Sequence, residues 1–212
     1  MSGQISIAPQ DLVAWIIERS ASTDRYLFGI AGPPGCGKST LAERLGAELD
    51  APVVPMDGFH LSNAELVERG QLGIKGAPET FAASAFVDLV RVLRQANAMV
   101  ACPTFDRMLD ETVADRVRVT PDDAVVLVEG NYLLIDEAPW GELAGLLDDI
   151  AYVDVPNDVR VERLVDRHVA SGRGRVEALD FVRRSDEPNA RRIEPGRVRA
   201  DVLVSSAEAP FS

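Results

Sequence analysis

Residues 32–40 read Gly32-Pro33-Pro34-Gly35-Cys36-Gly37-Lys38-Ser39-Thr40, and they follow without a break from the apolar run Tyr26-Leu27-Phe28-Gly29-Ile30-Ala31. The stretch from Gly32 to Ser39 matches G-x-x-x-x-G-K-[ST] at every fixed position. Each position has a physical reason. The glycines let the backbone turn its amides inward to make an anion cradle. Lys38 adds a point charge on the β- and γ-phosphates of a nucleotide, and the Ser39 hydroxyl is placed to ligate Mg²⁺. A helix running on from Thr40 to Leu49 would aim its positive N-terminus at the same phosphates. Gly32, Pro33, Gly35, Cys36, Gly37, Lys38, Ser39 and Thr40 are therefore the expected phosphate-binding residues. Strand, loop and helix in that order distinguish this loop from a glycine turn without a ligand.

Working outward, apolar runs at 52–56, 124–128, 150–155 and 202–205 read as further strands, the first ending at Asp57 and the second at Glu129. Helical spacing marks 9–20, 82–95, 157–171 and 177–192, the last with a break expected near Pro188. Residues 69–80 carry three glycines and a proline with no usable period, and read as a surface loop. Segments 99–103 and 116–119 look like a strand pair around an acidic turn. Strands that alternate with helices and are apolar throughout point to a parallel sheet covered on both faces. The expected class is α/β: a P-loop NTPase three-layer α/β/α sandwich with a mostly parallel five-stranded sheet. A single domain over 1–212 is expected, with an N-terminal helix at about 9–20 and a lid at about 160–176.

The formal charge is −12, from 22 basic against 34 acidic residues. Such a chain repels polyanions, so neither nucleic acid nor an anionic membrane is an expected partner. Lys38 and Lys75 are the only lysines; every other basic residue apart from histidine is arginine. A lysine at a phosphate-binding position is thus less easily put down to chance. The two cysteines, Cys36 and Cys102, form no metal-binding spacing, and Cys36 lies inside the glycine loop, so a reducing cytoplasm is expected. The opening MSGQISIAPQ is too polar for a signal peptide, and no apolar run approaches the ~20 residues that cross a bilayer. A homodimer is compatible with all of this.

The loop specifies nucleotide binding but not its use. No N-K-x-D string offers a guanine site, LSNAEL at 61–66 is not the L-S-G-G-Q-like segment of a transport ATPase, and DGFH lacks the arginine of a nucleoside monophosphate kinase's D-G-F-P-R. A small-molecule kinase needs a carboxylate near the γ-phosphate. Asp57, beyond the carboxyl end of a strand, faces the region where open α/β sheets bind ligands. It reads as general base or as a partner of Mg²⁺-bound water, against the plainer reading of an Asp-Gly turn. Glu129 has the Walker B arrangement that holds Mg²⁺. His60, Arg107 and Tyr132 are candidate acceptor-binding residues, the alternatives being a structural histidine, a solvated turn charge and core packing. Arg160, Arg163 and Arg167 lie on roughly one helical face. Arg163 and Arg167 are the expected phosphate-clamping lid residues and Arg173 a weaker candidate, although an arginine row is often just a solvated surface.

GPPGCGKST, PMDGFHLSN, KGAPETF, PTFDR and VEGNYLL, followed by RLVDRHVASGR and DEPNARRI, resemble in order the motifs of the phosphoribulokinase, uridine kinase and bacterial pantothenate kinase family over residues 25–206. Within it the chain is most similar to small bacterial proteins labelled fructose-transport-system kinase or nucleoside/nucleotide kinase-like. The resemblance implies that Asp57 is the catalytic carboxylate, that Glu129 is the Walker B acid and that Asn189 lies near the adenine. It implies ATP and Mg²⁺ as cofactors. Phe59-His60 departs from the uridine kinase D-S-F-Y string, and the chain is shorter than pantothenate kinases. The acceptor is left among a sugar such as fructose, pantothenate and a nucleoside. A protein that hydrolyses ATP as a regulatory or chaperone-like switch is the reading from a different class.

Overall fold

The computed structural model describes residues 5–106 and 109–205. Along them run β1 (Ile5–Ile7), α1 (Leu12–Ser20), β2 (Tyr26–Ala31), α2 (Lys38–Leu49), β3 (Val53–Pro55), α3 (Asn63–Glu68), α4 (Ala83–Gln95), β4 (Val100–Asp106), β5 (Glu111–Val119), β6 (Val125–Gly130), β7 (Asp149–Asp154), α5 (Asn157–Ala170), α6 (Arg175–Phe181), α7 (Glu187–Ile193) and β8 (Val202–Ser205). Six strands form one sheet in the order β1-β8-β7-β2-β6-β3, and every pairing in it is parallel. The expectation of five strands is corrected to six. The added strand, β1, is a three-residue edge strand too short to announce itself by periodicity, and it is held by pairing with β8.

Side chains of β2 alternate between two cores. Tyr26, Phe28 and Ile30 face Leu12 and Ile16 of α1 and Leu41 and Leu45 of α2. Leu27 and Ala31 face Phe86, Val87, Val90 and Leu93 of α4, together with Trp140. The α4 residues recur at helical spacing, so one stripe is buried. Each large side chain removed from water in this way contributes roughly 1.5–3 kcal/mol. Two covered faces explain why β2 is buried along its whole length and carries no polar alternation.

Because the strands are parallel, their carboxyl ends share one edge. Ile30 lies opposite Glu129, and Glu129 lies opposite Pro55, so the glycine loop, Glu129 and the turn bearing Asp57 leave neighbouring strands side by side. The hairpin β4–β5 stands apart from the sheet, with a register shift between Cys102 and Thr104 at Pro103, which has no amide hydrogen to donate. The hairpin passes so close to the Asp57 turn that a side chain added at Gly58 would begin 2.3 Å from the Pro103 carbonyl oxygen. Only glycine fits between Asp57 and Phe59.

The expected break near Pro188 takes another form. The chain continues through a π turn at Val182–Asp186, closed by the Glu187 amide donating to the Val182 carbonyl, and α7 follows directly. Pro188 cannot donate, and its ring crowds the carbonyl four residues back, a strain that the wider turn relieves. Among the described residues no helix is long and apolar enough to cross a membrane.

Candidate active site

The glycine loop bends through two left-handed glycines, Gly35 (φ 81°) and Gly37 (φ 94°), the second capping α2. It runs into the N-terminus of a twelve-residue helix, where an anion is favoured by the first-turn N–H groups and the helix dipole. Cys36 points the other way: its thiol is fully buried, and a side chain at Gly32 would begin 2.7 Å from its sulfur. Burial pushes the thiol pKa up, so it stays protonated and serves as packing. Gly32 and Cys36 therefore pack behind the loop, while Gly35, Gly37, Lys38, Ser39 and Thr40 line a crevice of about 870 Å³.

Ser39 Oγ donates to a Glu129 carboxylate oxygen at 3.3 Å, and Glu129 is only 5% exposed. Among the described residues, no group of three or more His, Cys, Asp or Glu side chains gathers as an all-protein metal cage. A hydroxyl beside one carboxylate instead suits Mg²⁺, which keeps waters and takes phosphate oxygens as ligands. Asp57 lines the same crevice from a short 3-10 turn (Met56–Phe59) that continues β3. Phosphate cradle, buried metal-type carboxylate and a second carboxylate thus converge at the carboxyl edge of the sheet.

Residues 29–188, from within β2 to the start of α7, match a family model described as an AAA domain. A candidate uridine kinase of Schizosaccharomyces pombe is 34% identical over 89% of this chain and 86% of its own. A pantothenate kinase of Limosilactobacillus reuteri is 26% identical over 94% of this chain and 76% of its own. The crystal structure of a candidate fructose transport system kinase from Silicibacter sp. TM1040 superposes with a TM-score of 0.86, at 38% identity, covering 93% of this chain and 99% of that one. The chain is a P-loop kinase of the uridine kinase and pantothenate kinase family.

Helix α5, which carries the first part of the expected lid, rests on the glycine loop: a side chain at Gly35 would begin 2.7 Å from the Arg160 carbonyl and from Leu164. The three arginines of α5 part company here. Arg160 is buried, donates to Asn157 and to the Pro34 carbonyl, and pairs with Glu187, so it is a tie between loop, α5 and α7 rather than part of a lid row. Arg163 lines the crevice and reaches the Cys36 carbonyl at 3.4 Å. Arg167 and Arg173 line it as well, Arg167 within 3.7 Å of the Asp186 carboxylate.

His60, which also lines the crevice, lies between two phenylalanines, with centroids 4.0 Å from Phe81 and 4.7 Å from Phe105. Its Nδ1–H donates to the Asp57 carbonyl at 2.8 Å, and burial holds its pKa below the ordinary 6.5, so the ring is neutral near pH 7. Tyr132 does not line the crevice. Its ring is buried against Phe81 and Trp140, and its hydroxyl donates to the Gly76 carbonyl; the expectation of acceptor contact is corrected to support of the 69–80 loop. Asn189 is buried with its amide nitrogen 3.9 Å from where a Gly76 side chain would begin. It lies beside that loop and also lines the crevice that holds the glycine loop, the place where the resemblance puts adenine. Arg107 lies outside the described residues.

Sequence reasoning missed Lys75, although its rarity was the available signal. Its ammonium bonds Asn63 Oδ1 at 2.7 Å, the Asp110 carbonyl at 3.0 Å and the Asp110 carboxylate at 2.8 Å, 5.1 Å from the Phe105 ring centre. Burial opposes ionisation of Asp110, but the hydrogen bonds from Lys75 and Asn63 outweigh it and hold the carboxyl below its usual range. The clip joins the 69–80 loop to the tip of the β4–β5 hairpin.

Proposed function

We propose that this kinase transfers the γ-phosphoryl group of ATP, with Mg²⁺, to a hydroxyl of a small metabolite, an uncharged sugar such as fructose in preference to the anionic pantothenate or a nucleoside. One observation carries the reading: the glycine loop and Asp57 line the same crevice. A switch that only hydrolyses ATP has no need of the aromatic wall that Phe81 and Phe105 give the same crevice.

In this reading the loop amides and Lys38 hold the β- and γ-phosphates. Ser39, with Glu129 and Asp57 near it, would hold Mg²⁺, which neutralises triphosphate charge. Asp57 accepts the proton of the attacking hydroxyl, and Arg163 and Arg167 face the charge that spreads over the moving phosphoryl group, where most of the catalysis arises. His60, held neutral and stacked, offers a hydrogen bond to the acceptor without adding charge. The three N–H groups of Lys75 are already taken up by oxygens, so the charge of that wall is balanced. A carboxylate or phosphate on the acceptor would have to displace Asp110, which favours the sugar. With no N-K-x-D string, guanine has no evident partner, hence ATP over GTP.

The test is a screen of sugars, polyols, nucleosides and pantothenate for stimulated ADP release, followed by Asp57→Asn with the acceptor so found. Transfer should fall by about 10²–10⁴ with ATP binding kept, the range of a positioned general base. An Asn variant that transfers like the parent removes Asp57 as the base; ADP release that no acceptor stimulates removes the kinase reaction as proposed.

A further inference from the structure

We infer that Asp186 and His168 are positioning residues that hold Arg167 and Arg173 toward the γ-phosphate, an inference that rests on reading this crevice as the ATP site. The α5–α6 hairpin has a small apolar core of its own, made of Leu164, Val165, Ala178 and Val182. Polar side chains also sit in this hairpin, and they are wired in series. Asp186, at the end of the π turn, is 7% exposed. Its carboxylate accepts from His168 Nε2 at 2.8 Å and lies 3.7 Å from the Arg167 guanidinium. On the other side of the ring, His168 Nδ1 accepts from Arg173 at 3.1 Å. This proton arrangement has one consistent form: the hydrogen is on Nε2, directed at the carboxylate, and the bare Nδ1 meets the arginine. Arg173 lies over Phe181, its guanidinium carbon 4.4 Å from the ring centre, and His168 packs edge-on against the same ring at 4.7 Å.

All five residues of this array line the crevice beside the glycine loop. An arginine in the 171–174 turn would otherwise sample many rotamers, and ordering it on a nucleotide would cost side-chain entropy. Fixing it beforehand through His168 and Phe181 lowers that cost. The carboxylate also keeps two cations close together in a position that faces the cavity. A π turn is a wide, locally strained turn often found where a side chain must be aimed at a site, and here it ends on Asp186. A purely structural role, fastening α5 to α7, would use the same bonds but would not distinguish nucleotides.

That difference is the test. Affinities for Mg²⁺-ATP and Mg²⁺-ADP are measured by calorimetry on the full chain and on Asp186→Asn, Arg173→Ala and the double variant. The expected result is ATP affinity about tenfold weaker in Asp186→Asn with ADP affinity unchanged, and a loss in the double variant smaller than the product of the two single losses. His168→Phe, which keeps the stacking on Phe181 and removes both hydrogen bonds, should reproduce the ATP-selective loss if Asp186→Asn folds poorly. Equal weakening of ATP and ADP, no weakening, or multiplicative losses would overturn the assignment. An acceptor screen that fails while the ATP-selective loss is seen counts against the proposed reaction alone.

Discussion

Gly58→Ala offers the sharpest perturbation of the site that does not touch its chemistry. An alanine Cβ there would begin 2.3 Å from the Pro103 carbonyl oxygen and 2.6 Å from its carbon. Ordinary contact begins at 3.4 Å, so turn and hairpin must separate by about an ångström. Both partners are backbone, and no rotamer change can absorb the clash. Overpacking of this kind costs about 1–3 kcal/mol, and rigid partners put it in the upper half of that range. For a chain of this size each kcal/mol lowers Tm by about 2–4 °C, so a fall of roughly 4–12 °C is expected. The neighbouring Asp57 moves with the turn, and a misplacement of about an ångström can cost roughly 10² in kcat/KM. Differential scanning fluorimetry and acceptor-stimulated ADP release read the two effects. Gly145→Ala is the control: nothing lies within 4 Å of its added carbon, and Tm should stay put. A Gly58→Ala protein with parental Tm and activity would refute the claim that the hairpin sets the position of Asp57.

Lys38→Ala should abolish the rise in melting temperature that ATP induces while leaving the ligand-free Tm nearly unchanged, since Lys38 stands at the crevice surface; an undiminished rise would remove the loop as the phosphate site. Arg160→Met should cost roughly 3 kcal/mol in urea unfolding, because it leaves Glu187, Asn157 and the Pro34 carbonyl without their buried partner. Stability equal to the parent would show that the tie is dispensable. Burial holds the folded-state pKa of His60 below 6.5, so as pH falls past 6.5 the unfolded chain takes up the proton first and stability is lost. His60→Gln should flatten that part of the Tm–pH curve, and an unchanged curve would show that another group is responsible.

How much could be read in advance depended on how far apart in the chain the partners lie. Strand β2 and the helices α2, α4 and α5 were legible, because apolar spacing and glycine chemistry act over a few residues. So were the loop, Asp57 and Glu129, since parallel strands must end on one edge and place ligands there. The roles of the three α5 arginines were not. Spacing puts Arg160, Arg163 and Arg167 near one face, yet only packing against the glycine loop and Glu187 draws Arg160 inward and leaves the others at the crevice. Tyr132 and Lys75 were decided the same way, by a carbonyl 56 residues away from the tyrosine and a carbonyl 35 residues away from the lysine. The edge strand β1 owes its form to β8, almost two hundred residues on. Local preference determines which backbone a segment adopts and which residue types can meet a phosphate. Which face of a helix is buried, and which cation is already matched by a carboxylate, is a property of the contacts that folding alone brings together.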